Sequence, residues 1–179
     1  APYGDSLIAT RGKAIAGTLA AGDKLLTYLD CGAAATASEN GATLRQVNGG
    51  SWQFPGSEKA AGSTFGTVAY NGGPLEFEIS GLDPGKRYAI GFSWWDYDNN
   101  GRIQSVSLAG GNPSKRVESL VATKLPAYTG SKLGPAIGSL PIDPAVAVNG
   151  KLRAAFQRRA GPNATVSELW VVETQAGNA

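Results

Sequence analysis

The sequence of 179 residues contains no histidine, no methionine and one cysteine, Cys31. Without histidine, the chain lacks the most common general base and the most common transition-metal ligand. Ser-His-Asp catalysis, Cys-His catalysis and a zinc site built from histidine and cysteine are therefore excluded within this chain. An enzyme with this sequence would depend on carboxylate, tyrosine, lysine or arginine chemistry.

The absence of methionine, the absence of long apolar runs and the single cysteine lead to further expectations about processing, membrane insertion and disulfide formation. A chain without methionine is expected to be a processed mature protein or an excised domain, and we expect a secreted or cell-surface location. No run of about 18 apolar residues is present, so no membrane-spanning segment is expected. Cys31 cannot form an internal disulfide and follows a short apolar run, which favours a buried, inert thiol over a nucleophile.

Charge is sparse, since charged residues make up 17% of the chain and the formal net charge is +2. This fraction lies below the usual value of about 25%, and no strongly basic surface is predicted. Nucleic acid is therefore not an expected partner. Turn formers are abundant instead, with 25 glycines and 10 prolines, which favours many short strands over a helical bundle.

Apolar and polar residues alternate in several segments, which is the pattern of half-buried strands. The clearest example is Leu75, Phe77 and Ile79, each followed by a polar residue. We predict strands at residues 24–30, 42–47, 74–80, 87–98, 103–108, 116–123, 151–157 and 165–173, and long loops at 32–66 and 125–144.

The dipeptide Asn100-Gly101 is a strong hairpin signal, so strand 103–108 is predicted to return antiparallel to strand 87–98. Together the elements predict an all-β, single-domain β-sandwich with jelly-roll topology and long loops. Residues 1–24 would form an edge strand or arm, and residues 25–173 the sandwich core.

An aromatic and acidic cluster lies at residues 94–98, next to this turn. Alternation places Trp94 in the core and Trp95 and Tyr97 on the opposite face, near the tip of the sheet. An exposed ring there could stack on the CH-rich face of a pyranose, while Asp96 and Arg102 bind its hydroxyls. The alternative interpretation is that Trp95 and Tyr97 fill a second layer of the sandwich.

Other side chains are candidates for the same kind of contact. Trp52 lies among small polar residues with no alternation to bury it, so it is either an anchor in the core or a contact for a ligand. Arg45 and Tyr128 are further candidates of this type.

Residues 96–101 match the D-x-[DN]-x-[DN]-G opening of an EF-hand loop. Position 107 is a serine rather than the required glutamate, and no flanking helices are predicted, so an EF-hand is excluded. Two interpretations remain: a calcium ion held by Asp96, Asp98 and Asn100 in a β-hairpin, or ordinary Asx-turn hydrogen bonding.

Two carboxylate pairs, Asp96 with Asp98 and Glu76 with Glu78, would suit an enzyme. Residues two apart on a strand point to one face about 7 Å apart, which is within the spacing of an inverting glycosidase. Acidic residues that alternate on a solvent-facing strand produce the same pattern without catalysis.

Residues 74–173 resemble the galactose-binding-like jelly roll, and within it the malectin-like carbohydrate-binding modules. The segments that carry the resemblance are 75–79, 81–88, 92–97 and 167–173, and residues 28–32 resemble the opening strand of that family. The resemblance implies binding of a mono- or oligosaccharide by aromatic side chains on loops at one end of the sandwich. It also implies a frequent structural calcium and no catalysis of its own. The family's sugar-contacting aromatics would fall at Trp95 and Tyr97, with Asp96 beside them.

We therefore expect a non-catalytic carbohydrate-binding module whose partner is a polysaccharide or oligosaccharide, with an attached catalytic domain in a larger protein as one arrangement. Two other functions remain open. One is a cell-surface or structural protein-interaction domain on the same sandwich. The other is a small carboxylate-dependent glycoside hydrolase or polysaccharide lyase.

Overall fold

A computed structural model of the chain describes residues 19–53, 67–96, 100–110, 117–125, 136–142 and 146–174. Thirteen strands lie in these ranges: β1 (Lys24–Asp30), β2 (Thr36–Glu39), β3 (Ala42–Gln46), β4 (Gly50–Gln53), β5 (Thr67–Asn71), β6 (Leu75–Ser80), β7 (Arg87–Trp94), β8 (Ile103–Ala109), β9 (Val117–Lys124), β10 (Ala136–Ile142), β11 (Leu152–Ala160), β12 (Ala164–Val166) and β13 (Glu168–Thr174). Within these ranges there is no helix with the length and apolar character needed to cross a bilayer. The all-β fold class is confirmed.

The strands form three antiparallel sheets. A four-stranded sheet has the order β1-β13-β7-β10, and a six-stranded sheet has the order β2-β3-β6-β11-β8-β9. A three-stranded sheet, β12-β5-β4, forms a smaller third element, which we call the small sheet. This arrangement is a jelly-roll β-sandwich, as the sequence predicts.

The main core lies between the two large sheets and is built from the inward side of each alternating strand. Phe92 packs edge-to-face on Trp94 and Phe156, with ring centroids 4.8 and 5.3 Å apart, and Phe77 packs on Phe156 at 5.8 Å. Trp94 is buried in this core, as alternation predicts, and Cys31 is a buried free thiol. Burial raises the pKa of the Cys31 thiol well above its usual range, so it is not a reactive nucleophile.

Strand positions are predicted better than strand pairings. The bounds of β1 are predicted as observed, and β6 shows the predicted alternation of buried and half-buried residues. The predicted hairpin is wrong, because β7 lies in the four-stranded sheet and β8 in the six-stranded sheet. The chain between them is too long for a two-residue turn and crosses from one sheet to the other.

The predicted loop at 125–144 contains a strand, β10, which pairs with β7 at the edge of the four-stranded sheet. Its proline, Pro141, is compatible with that position because an edge strand can lose a ladder donor on its open side. The predicted loop at 32–66 likewise contains β2 and β4, in addition to the predicted strand at 42–47, which is observed as β3. Residues 1–18 of the predicted arm lie outside the described residues.

The outer face of the four-stranded sheet carries a second apolar layer. Trp170 and Val172 are buried there with Leu19, Leu25 and Tyr28 packed against them. The indole of Trp170 lies directly over Gly91 of β7, in the space that a Cβ atom would occupy. Glycine is therefore required at this position for packing, and this face of the sheet is covered rather than solvated.

Gly91→Ala is expected to lower the free energy of unfolding by about 1 to 3 kcal/mol, because the new methyl group displaces the Trp170 indole. Gly72→Ala is the matched control, since nothing lies within 4 Å of its Cβ position. Urea denaturation of both variants measures the difference. Equal midpoints for the two variants would contradict the packing described here.

Candidate functional site

Trp95, the described member of the aromatic rim predicted at the end of β7, is buried. Trp95 has 0% of its surface exposed and Trp94 has 3%. The prediction that Trp95 is a stacking platform is wrong, because its side chain, directly after the end of β7, is fully buried and presents no ring face to a ligand. The alternative, that Trp95 fills a second layer, is the one the structure supports. Tyr97, predicted beside it, lies outside the described residues.

Asp96 and Arg102 are buried and form an ion pair instead of a sugar contact. Arg102 Nη1 donates to Asp96 Oδ1 at 2.8 Å, and the backbone N–H groups of Asn100 and Gly101 donate to the same carboxylate at 3.1 and 2.8 Å. Arg102 Nε also donates to Asn163 Oδ1 at 2.9 Å. The pair therefore joins the β7–β8 connection to the turn before β12, and the prediction that Arg102 is a ligand contact is wrong.

The electrostatics of Asp96 follow from these contacts. Burial alone would raise the pKa of its carboxyl, but the N–H of Asn100, the Arg102 guanidinium and the N–H groups of Gly101 and Arg102 outweigh it. The pKa of Asp96 therefore lies below its usual range, and the carboxylate is charged at neutral pH.

The same contacts test the predicted calcium site. Both Asp96 oxygens accept hydrogen bonds from groups that a cation would have to displace, the Arg102 guanidinium among them. Among the described residues there is no group of three or more acidic, histidine or cysteine side chains that could hold a metal. Asp96 does not fit a calcium ligand. Its carboxylate accepts backbone N–H groups four to six residues further on, rather than the N–H two residues on that an Asx turn uses. Asp98 lies outside the described residues.

Asp96→Ala is expected to lower the free energy of unfolding by about 3 to 5 kcal/mol, because it leaves the buried Arg102 guanidinium without its counter-ion. Glu39→Ala, which removes an exposed carboxylate from β2, is the control. Chemical denaturation at pH 7 measures both. A loss no larger than that of the control would show that the ion pair is not structural.

One tryptophan does face solvent. Trp52 is 50% exposed on β4, the edge strand of the small sheet. The register of β4 with β5 places Gly50 opposite Tyr70 and Trp52 opposite Val68, so these side chains share one face. The Tyr70 ring is half-buried and lies over Gly50, with ring atoms 3.2 Å from the position of a Cβ. The ligand-contact interpretation of Trp52 is therefore the one that its exposure favours.

A groove of about 310 Å³ lies beside β4, between two segments of chain. We call it the end groove; it is lined by residues 32–35 of the β1–β2 connection and by residues 46–51. Its walls are small, with glycine and alanine at Gly32, Ala33, Gly49 and Gly50 among others. Trp52 follows Ser51, the last lining residue, so the exposed indole stands next to the groove along the chain.

Beside the groove, the backbone of the β1–β2 connection packs closely against the backbone of β5. Gly32 has φ +89° and its Cβ position lies 2.6 Å from backbone atoms of Val68, so only glycine fits there. The hydroxyl of Thr67 donates to the Cys31 carbonyl at 2.9 Å and to Asp30 Oδ1 at 3.3 Å. These contacts fix the β1–β2 connection against the small sheet.

Hydrogen bonds within the protein fix the orientation of the polar side chains in the groove wall. Gln46 Nε2 donates to the carbonyls of Asn48 and Gly50 at 2.9 and 3.2 Å. Asn48 accepts from the Glu76 N–H at 2.9 Å and donates to the Glu76 carboxylate at 3.4 Å. The groove therefore has a preformed wall of amide groups.

The remaining predicted residues are not assembled into one site. Arg45 lies on the solvent face of β3 and pairs with Glu78 at 3.4 Å, with side chains 46% and 24% exposed. Glu76 is bonded to Asn48, and Tyr128 lies outside the described residues. Tyr70 was not predicted; its only signal was the short β-forming run Val68–Asn71 before two glycines.

A pair of carboxyl groups lies at the same end of the sandwich. Asp30 and Glu168 are directly opposite in the β1–β13 register, and Glu168 is fully buried. Tyr28 and Ser93 each donate to Glu168 at 2.6 Å. Burial, opposed by the Thr67 hydrogen bond and reinforced by the charge of Glu168, raises the pKa of Asp30 to about 7.

Because the folded protein holds the Asp30 proton more tightly than the unfolded chain, this group favours folding at low pH. Its contribution is lost as pH rises from about 4, its ordinary pKa, through about 7. Asp30→Asn should therefore be more stable than the parent at pH 8 by about 2 kcal/mol, a value discounted for partial solvation. At pH 4 that advantage should disappear.

Urea denaturation at pH 4 and pH 8 measures this change, with Glu39→Gln on β2 as an exposed control for loss of one charge. A stability difference between Asp30→Asn and the parent that is the same at both pH values would contradict the raised pKa.

No protein-family model and no curated protein matches the chain. Solved structures do. The CBM22-1 xylan-binding domain of Paenibacillus barcinonensis Xyn10C superposes with a TM-score of 0.51 at 7% identity, covering 89% of this chain and 100% of that domain. This likeness shows a shared jelly-roll fold.

Two further solved structures are more distant. Bacteroides uniformis β-glucuronidase 2 has a TM-score of 0.49 at 10% identity over 72% of this chain, which spans 14% of that enzyme's length. TmCBM61, solved with β-1,4-galactotriose, has a TM-score of 0.37 at 11% identity, covering 84% of this chain and 88% of that one.

Proposed function

We propose that the protein is a carbohydrate-binding module, and that Trp52 and the end groove form its binding site. The observation that carries the proposal is the half-exposed Trp52 indole on β4, one residue along the chain from the last residue that lines an open, uncharged groove. A sugar ring presents CH groups to an aromatic face and hydroxyls to amide groups, and this surface offers both. The shared fold with a xylan-binding domain supports the same function.

The arrangement of β4 explains how the two parts could act together. Ser51 and Trp52 are adjacent on an edge strand, so their side chains lie on opposite faces. Gly50 lines the groove and also lies on the face of Trp52 and Tyr70. Tyr70 covers Gly50 on the aromatic face, so in this proposal a glycan reaches the groove around the edge of the small sheet, where β4 is an edge strand.

The proposed module acts by binding alone. Of the four carboxylates predicted as catalytic pairs, three are engaged in structural contacts: Asp96 with Arg102, Glu78 with Arg45, and Glu76 with Asn48. The fourth, Asp98, lies outside the described residues. Our proposal further places the protein outside the cell, where polysaccharides are found, and as the binding part of a larger carbohydrate-active protein.

Trp52→Ala should weaken binding about 10- to 100-fold, because the stacking surface is removed. Affinity electrophoresis on xylan, galactan, glucomannan and mixed-linkage β-glucan measures retention. Val121→Ala is the matched control, since Val121 is 68% exposed on β9 at the far edge of the six-stranded sheet. Circular dichroism should show an unchanged fold for both variants.

Two results would overturn the proposal. The first is retention that is the same for Trp52→Ala and the parent protein. The second is release of reducing ends from any of the four polymers by the parent protein, which would show an enzyme instead of a binding module.

A further inference from the structure

The end groove has an unusual charge distribution for a surface site. All of its lining residues, 32–35 and 46–51, are uncharged. The neighbouring aromatic face is also uncharged, since it is formed by Gly50, Trp52, Val68 and Tyr70. A ligand in this region would find aromatic surface, amide groups, backbone and the Ser51 hydroxyl, with no cation among these residues.

Glu76 places a carboxylate against the groove wall, where its side chain contacts Asn48 at 3.4 Å. The described residues that line the groove include no cation, so a negatively charged ligand would meet no counter-ion among them.

The positive charge of Arg45 does not change this conclusion. Arg45 lies on the outward face of β3, whereas the buried side chains of Ala42 and Leu44 face inward. Its guanidinium is paired with Glu78 at 3.4 Å on the neighbouring strand β6. The Arg45 guanidinium is therefore paired with a carboxylate on the side of β3 opposite the core.

Building on the proposed function, we infer that the site is specific for uncharged glycans and rejects polymers that carry carboxylate or sulfate groups. Binding then depends on stacking and on neutral hydrogen bonds, both of which are insensitive to ionic strength. An acidic glycan would lose affinity because each anionic group must give up its water without gaining a cation.

The experiment compares each polymer with its own acidic derivative. Galactan, glucomannan and mixed-linkage β-glucan are each tested before and after oxidation of their primary hydroxyls to carboxylates, which leaves the backbone unchanged. For every polymer that binds, the oxidised form should bind at least about tenfold more weakly. Binding of the neutral form should change less than about twofold between roughly 50 and 500 mM NaCl.

A charge-insertion pair tests whether the groove itself sets this preference. Ser51→Lys places a cation on the groove wall, and Val121→Lys adds the same charge on β9, away from it. Retention by the oxidised polymers should rise severalfold in Ser51→Lys and not in Val121→Lys. Equal retention of the two variants would overturn the inference.

The remaining outcomes separate this inference from the proposed function. Oxidised polymers that bind as well as their parents, and lose binding in Trp52→Ala, would overturn the preference for uncharged glycans and leave the binding site in place. Failure of every polymer, neutral or oxidised, to bind would overturn both.

Discussion

The candidate site depends on the junction between the end of β1 and the start of β5. There the Thr67 hydroxyl bonds to the Cys31 carbonyl, and Gly32 lies against the backbone of Val68. On the other side of the small sheet, the Gln104 side chain exchanges two hydrogen bonds with the Thr165 backbone, at 2.8 and 3.0 Å. The small sheet is thereby attached to both large sheets, and Trp52 and the groove take their positions from it.

Buried polar side chains at this end of the molecule form hydrogen bonds that order the connections between strands. The chain crosses from the four-stranded to the six-stranded sheet between β7 and β8, and Asp96 accepts the backbone donors that this crossing exposes. Arg102 carries the counter-charge and reaches the turn before β12 through Asn163. Such a pair contributes little net stability over an apolar alternative, but it orders the connection because any other arrangement leaves a buried charge unpaired.

Local patterning predicted most of the strands but not β2, β4, β5 and β10, and tertiary packing decided strand partners and exposure. A short apolar run between turn residues identified β1, and alternation identified β6, one face of which is buried. Alternation also predicted the face of the strand on which Trp95 lies, but the pattern carries no information about whether other residues cover that face. The structure shows that Trp95 is fully buried. Similarly, Gly101 has the positive φ, +75°, that the Asn-Gly signal predicts, but Asn100 does not, and the signal could not show that the chain changes sheets there.

The four tryptophans of the chain occupy two very different environments. Trp94, Trp95 and Trp170 are buried, whereas half of the Trp52 surface is open to water. Collisional quenchers in solution therefore reach one indole and are kept from the other three. The protein thus contains its own fluorescent reporter at the proposed binding surface, and occupancy there can be followed by emission without attaching a dye.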